Sequence, residues 1–95
     1  MTTPATHALL SGPVEGLLRQ AQAKGGWSPG TASRIDTALE VLPRGELPYK
    51  LAELLGLIRT NAQWPAETQR AFYDAARAAR GIEAHEPAVG AAHAS

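Results

Sequence analysis

Three histidines are the side chains best suited to act as general bases near neutral pH, and all three lie towards the ends of the chain. His7 lies near the N-terminus, and His85 and His93 lie near the C-terminus. A general base has to be held in place against its substrate, and the residues around these histidines are mostly small. Their spacing does not match a helical metal-binding motif. The sequence therefore predicts no histidine-based catalytic or metal site.

Carboxylates, serines and cysteines give no catalytic pattern either. Asp36 and Glu40 are four residues apart on the polar side of a predicted helix, whereas an acid–base dyad requires burial. Ser28 precedes Pro29 and is better explained as a helix cap. The chain contains no cysteine, which excludes disulfides and thiolate chemistry. We therefore predict that the protein is not an enzyme and requires no cofactor.

Arginines around a tyrosine form the strongest functional pattern in the chain. Arg70, Tyr73, Asp74 and Arg77 share one side of a predicted helix, and Arg80 lies near its edge. Arg70–Asp74 and Asp74–Arg77 have spacings that allow ion pairs worth about 0.2–0.5 kcal/mol each. This side of the helix is either a solvated, self-paired surface or a docking surface for an acidic partner or a nucleic acid. Because the net charge is zero, a nucleic acid is the weaker candidate for its partner.

Three further aromatic residues are candidate contacts. Tyr49 is predicted on the outer side of the third helix. Trp27 and Trp64 each lie just before the proline that starts a helix. Tryptophan is enriched at interface hot spots, but we favour the interpretation that both tryptophans fill one end of a bundle, as a hydrophobic staple does. Trp64 stays a candidate because it lies beside the outer side of the fourth helix. The candidate partner-binding residues are Tyr49, Trp64, Arg70, Tyr73, Asp74, Arg77 and Arg80.

Four amphipathic helices would position these residues. Their predicted bounds are residues 11–24, 29–42, 47–60 and 65–80. Prolines in the first turn and glycines or prolines after the last turn set these bounds. The third helix carries the strongest apolar stripe, and Leu57 widens it, which implies contact with two neighbouring helices.

The predicted fold class is all-α, because no segment alternates apolar and polar residues and the connections are short. We expect a compact bundle of four short helices, or two stacked helical hairpins. The helical domain spans residues 11–81, between flexible tails at residues 1–10 and 82–95. The predicted core consists of Val14, Leu17, Leu18, Ile35, Leu39, Leu42, Leu51, Leu54, Leu55, Ile58 and Phe72.

A weak internal repeat relates the two halves of the chain. Pro29 and Pro65 both start predicted helices just after a tryptophan, and an arginine follows each proline five residues later. Part of the second half also resembles the spacing of one tetratricopeptide repeat, through Leu55–Gly56 and Phe72. The closing proline of that pattern is absent, and the sequence is assigned to no family.

Three hypotheses about function follow. The first is a small adaptor that binds another protein through a helical surface and could also self-associate. The second is a DNA-binding regulator or antitoxin-like protein that uses Arg70, Arg77 and Arg80 on one exposed face. The third is an accessory or structural subunit of a larger phage, plasmid or bacterial complex. An adaptor is expected to expose an apolar patch.

The location of the protein is predicted from what the sequence lacks. No segment is long and apolar enough to span a membrane, and the N-terminal residues do not resemble a signal peptide. We therefore expect a cytoplasmic protein. The high content of alanine, glycine, proline and arginine is typical of a GC-rich bacterial or phage genome.

Overall fold

Helices make up most of the residues that the structure describes. A computed structural model describes residues 4–84, and the side chains of residues 12–84. Its elements are α1 (Pro4–Lys24), α2 (Pro29–Val41), a 3₁₀ helix (Leu42–Arg44), α3 (Leu51–Thr60) and α4 (Ala66–Glu83). Residues 4–84 contain no β-strand, so the all-α prediction is confirmed. Within the same range, no helix is long and apolar enough to cross a membrane.

Two helix pairs, α1–α2 and α3–α4, pack on each other to form a compact bundle. Helix α1 contacts α4, α2 contacts α3, and the most extensive packing is between α3 and α4. Glu83 at the end of α4 contacts Ala52 at the start of α3, whereas Arg59 at the end of α3 contacts Tyr73 in the first half of α4. Helices α3 and α4 therefore form an antiparallel hairpin.

The core matches the predicted apolar stripes. All the predicted core residues are buried except Leu39, which is half-buried and packs against the others. Ala21, Ala38, Ala52, Ala76 and Ala79 are buried as well, and small side chains at these positions allow the helices to approach closely. Helix α3 packs on both α2 and α4, which confirms that its wide stripe contacts two neighbours.

Helix α1 begins seven residues earlier than predicted. The helix starts at Pro4 rather than at Ser11, and Pro13 lies inside it. Residues 4–10, predicted as a flexible tail, therefore belong to the helix. Pro4 takes the first helical position, where the missing N–H needs no partner, and alanine and leucine in the following residues favour helix.

The connection between α1 and α2 is as predicted. Gly25 and Gly26 adopt positive φ angles of 71° and 82° and end α1, as glycines after a helix commonly do. Ser28 caps α2, since its hydroxyl accepts a hydrogen bond from the Thr31 backbone N–H at 3.3 Å. Pro29 then occupies the first helical position.

Helix α3 begins later than predicted, at Leu51 rather than at Leu47. Lys50 adopts a left-handed conformation with φ 51° and ψ 45°, which interrupts any helix started at Pro48. Leu47 is nevertheless buried and anchors the connection to the core. The Lys50 carbonyl accepts the first helical hydrogen bond of α3, from the Leu54 N–H at 3.0 Å.

Helix α4 ends later than predicted, since it continues through Gly81 to Glu83. The prediction that Gly81 ends the helix was wrong because the following residues make tertiary contacts. Ile82 packs against the core, and Glu83 accepts a hydrogen bond from the Ala52 N–H. The remainder of the predicted C-terminal tail, residues 85–95, lies outside the described residues.

Candidate functional site

The outer side of α4 carries most of the candidate contact residues. Arg70, Tyr73, Asp74, Arg77 and Arg80 are all exposed. The opposite side of the helix is buried through Phe72, Ala76 and Ala79. The helical spacing of these residues therefore predicted correctly which side of α4 faces outward.

Only one of the two predicted ion pairs forms on this side of α4. The Arg70 Nε lies 3.4 Å from the Asp74 carboxylate, as the i, i+4 spacing predicts. Asp74 and Arg77 do not pair. Instead, the guanidinium carbon of Arg77 lies 5.9 Å from the centroid of the Tyr73 ring.

Arg59 completes a cluster that the sequence analysis missed. Its guanidinium carbon lies 5.6 Å from the same Tyr73 ring centroid, although Arg59 belongs to the last turn of α3. A cation within about 6 Å of a ring centroid is attracted by the electron density of the ring. We call Arg59, Tyr73 and Arg77 the α3–α4 cluster. The antiparallel register of the hairpin is the signal that could have revealed Arg59.

Packing beneath the cluster holds α4 in place. The rings of Phe72 and Trp64 are 5.0 Å apart between centroids, with an interplanar angle of 48°. Phe72 is fully buried, whereas its neighbour Tyr73 is 46% exposed. The cluster is therefore built on a helix whose inner side is closely packed, so its side chains are presented from a rigid backbone.

The Trp64 side chain makes contacts within the bundle. The residue is half-buried, and its indole N–H donates to the Ile58 carbonyl at 2.9 Å. The Lys24 ammonium lies 5.0 Å from its ring centroid, which joins the end of α1 to the start of α4. These contacts favour the interpretation that Trp64 fills the end of the bundle.

Trp27 repeats this arrangement in the other helix pair. Its indole N–H donates to the Ala21 carbonyl, also six residues earlier, at 2.7 Å. Both tryptophans therefore bind a carbonyl near the end of the preceding helix. The weak sequence repeat thus corresponds to a repeated structural contact.

Tyr49 is exposed, as predicted, but lies apart from the cluster. It sits in the turn before α3 rather than on the helix, near the end of the hairpin where Glu83 contacts Ala52. Glu83 and Tyr73 are separated by about 15 Å along α4 at 1.5 Å per residue. The structure therefore does not bring Tyr49 and Tyr73 into one surface.

Two shallow clefts flank Trp27. The larger has a volume of about 350 Å³ and is lined by Gly26, Trp27, Ser28, Thr31, Leu57 and Asn61. The smaller, of about 160 Å³, includes Asp36, whose carboxylate accepts a hydrogen bond from Gln22 at 2.7 Å. In the part of the chain that the structure describes, no group of three His, Asp or Glu side chains could hold a metal ion.

Tyr49 and Tyr73 are the large hydrophobic side chains exposed among the described residues. The described residues therefore do not expose the apolar patch that was expected of an adaptor, since the two tyrosines lie on different parts of the surface. A partner that binds the described surface would meet aromatic and cationic groups instead.

Comparisons with known proteins give no relative from which a function could be transferred. No family model, no curated protein and no solved structure matches the chain.

Proposed function

We propose that the protein is a small, non-enzymatic adaptor that binds another protein through the outer side of α4. The observation that carries the proposal is the α3–α4 cluster, in which an exposed tyrosine lies beside arginines from two packed helices. Tyrosine and arginine are enriched at protein interfaces, and they are common among hot-spot residues.

The rigidity of the surface supports this proposal. A partner that binds a flexible segment has to order it, which reduces affinity. Tyr73 instead follows the fully buried Phe72 on a helix whose alanines pack closely into the core. Both arginines already lie against the tyrosine ring, so their side chains lose less conformational entropy when a partner binds.

DNA binding is the second candidate function, and one observation favours it. Arg70, Arg77 and Arg80 are all exposed on α4, as the DNA-binding hypothesis requires. Two features oppose it. Asp74 lies among these arginines and pairs with Arg70, and α3 runs antiparallel to α4, whereas a helix-turn-helix joins its helices at a steep angle.

The third hypothesis, an accessory subunit of a larger complex, stays a prediction, as do self-association, a bacterial or phage origin and a cytoplasmic location. An accessory subunit would use the same kind of helical surface as an adaptor. Light scattering of the purified protein distinguishes a self-associating protein from a monomer by its mass.

Affinity capture with matched variants tests the proposal. Three tagged proteins are expressed in cells of the source organism: the wild type, the double variant Tyr73→Ala/Arg77→Ala and the control Arg44→Ala. Arg44 is exposed and lies on a different element. We expect one protein to be captured by the wild type and the control and lost from the double variant. Capture of the same proteins by all three would contradict the proposal.

A further inference from the structure

Carboxylate pairing divides the arginines of the chain into two groups. Four of them lie within 4 Å of an Asp or Glu, in the pairs Arg19–Glu15, Arg34–Glu53, Arg44–Glu40 and Arg70–Asp74. Arg59, Arg77 and Arg80 have no carboxylate partner among the residues that the structure describes. Four of the seven arginines are therefore neutralised locally, and these three are not.

The three unpaired arginines lie close together. Arg59 and Arg77 both contact the Tyr73 ring, and Arg80 follows Arg77 by three residues on α4, which places them about 4.5 Å apart along the helix axis. Like charges held this close repel one another. A ligand that supplies negative charge would relieve this repulsion.

We propose that the α3–α4 cluster and Arg80 bind an acidic segment of a partner protein, through carboxylates that pair with Arg59 and Arg77. This inference rests on the proposed function and names the chemistry of its partner. The guanidinium group presents N–H donors in a planar fork that matches a carboxylate and can form two parallel hydrogen bonds with it. Two such groups beside one ring select a segment with at least two nearby acidic residues.

An acidic peptide fits this surface better than a nucleic acid does. Asp74 and Glu67 lie on the outer part of the same helix, so a continuous phosphate backbone laid along α4 would meet negative charge as well as positive. Three unpaired arginines would also make fewer phosphate contacts than the roughly six to ten of a strongly salt-dependent DNA-binding protein. A short acidic segment can pair with the arginines and leave Asp74 facing solvent.

Fluorescence anisotropy with a labelled short oligoglutamate peptide tests this inference. The variants are Arg59→Gln/Arg77→Gln and the control Arg19→Gln/Arg44→Gln, which lowers the net charge equally. Arg19 and Arg44 are exposed and paired with carboxylates. We expect the wild type to bind at low salt, the first variant to bind about tenfold more weakly and the control to bind within about twofold of the wild type.

Three results would overturn the inference. The first is no binding of oligoglutamate to the wild type. The second is an equal loss in both double variants, which would mean that only net charge matters. The third is tighter binding of duplex DNA that the Arg59→Gln/Arg77→Gln variant abolishes, which would favour a nucleic acid. Circular dichroism of each variant verifies that the helices are retained.

Failure of the inference can be told apart from failure of the proposed function. The experiment uses a partner protein whose capture depends on Tyr73. Its binding to the wild type and to the same two double variants is measured at increasing salt concentration. Binding that falls only in the Arg59→Gln/Arg77→Gln variant and weakens with salt supports the acidic segment. Binding that neither the variant nor salt changes would leave the proposed function standing and overturn the acidic segment.

Discussion

The guanidinium carbon of Arg59, in the last turn of α3, lies 5.6 Å from the ring centroid of Tyr73 in α4. This contact links the two helices of the hairpin at the surface, above the buried packing of Phe72 against Trp64. With Arg77 beside the same ring, the candidate binding surface spans two helices rather than one. Its geometry therefore depends on the register of the hairpin.

Tyr73 and Phe72 are neighbours in sequence with opposite environments. We predict that Tyr73→Ala lowers the free energy of unfolding by about 1–2 kcal/mol, because the partly buried ring loses its two cation–π contacts. Phe72→Ala should cost about 3–5 kcal/mol, because it leaves a cavity in the core. Urea denaturation followed by circular dichroism measures both. A Tyr73→Ala variant as unstable as Phe72→Ala would assign Tyr73 a structural role.

The tryptophan hydrogen bonds make a second prediction. Trp27→Phe and Trp64→Phe each remove an indole N–H that binds a helix carbonyl. Each should lower the free energy of unfolding by about 0.5–1.5 kcal/mol. Each variant keeps one tryptophan, whose fluorescence reports unfolding. If only one of the two variants is destabilised, the repeated contact does not have the same role in both helix pairs.

Glu83 gives a third prediction, at the start of α3. Its carboxylate accepts a hydrogen bond from the Ala52 N–H at 3.3 Å, where the helix dipole favours a negative charge. Glu83→Gln should therefore lower the free energy of unfolding by about 0.3–1 kcal/mol. The control is Glu40→Gln, which removes an exposed charge paired with Arg44. If thermal denaturation shows the same negligible change in stability for Glu83→Gln and Glu40→Gln, Glu83 does not stabilise α3.

Lys50 gives a fourth prediction through its left-handed backbone. For residues other than glycine, this conformation costs roughly 1–2 kcal/mol of steric strain. Glycine adopts it without that strain but loses more backbone entropy on folding. Lys50→Gly should therefore raise the free energy of unfolding by about 0.5–1 kcal/mol. Lys50→Ala keeps the strain and loses the contact with the Tyr49 ring. A stabilising Lys50→Ala would contradict this account of the strain.

Apolar spacing predicted the helices and their buried sides better than proline and glycine predicted the helix ends. Pro13 and Gly81 were interpreted as boundaries but lie inside helices. Their local costs, about 3 kcal/mol for proline and 1 kcal/mol for glycine, can be offset by packing that a single-sequence pattern does not reveal. Val14 beside Pro13 is fully buried, and Ile82 beside Gly81 packs against the core.

The candidate site was predictable only where it lies on one helix. The spacing of Arg70, Tyr73, Asp74 and Arg77 was enough to place them on the same side of α4. Arg59 is fourteen residues before Tyr73 in the chain, so its contribution depends on how α3 and α4 pack. Arg77 contacts Tyr73, four residues earlier on the same helix, rather than Asp74, and helical spacing alone allows either contact.

Photocrosslinking at position 73 tests the central claim most directly. A photoreactive phenylalanine replaces Tyr73 in one variant and Tyr49 in the control, since these side chains are 46% and 47% exposed but lie on different parts of the surface. The cells of the source organism that express each variant are irradiated. We predict that position 73 gives a specific crosslinked product and that position 49 gives none of the same mass. Equal crosslinking from both positions, or none from position 73, would contradict the claim that the outer side of α4 binds a partner protein.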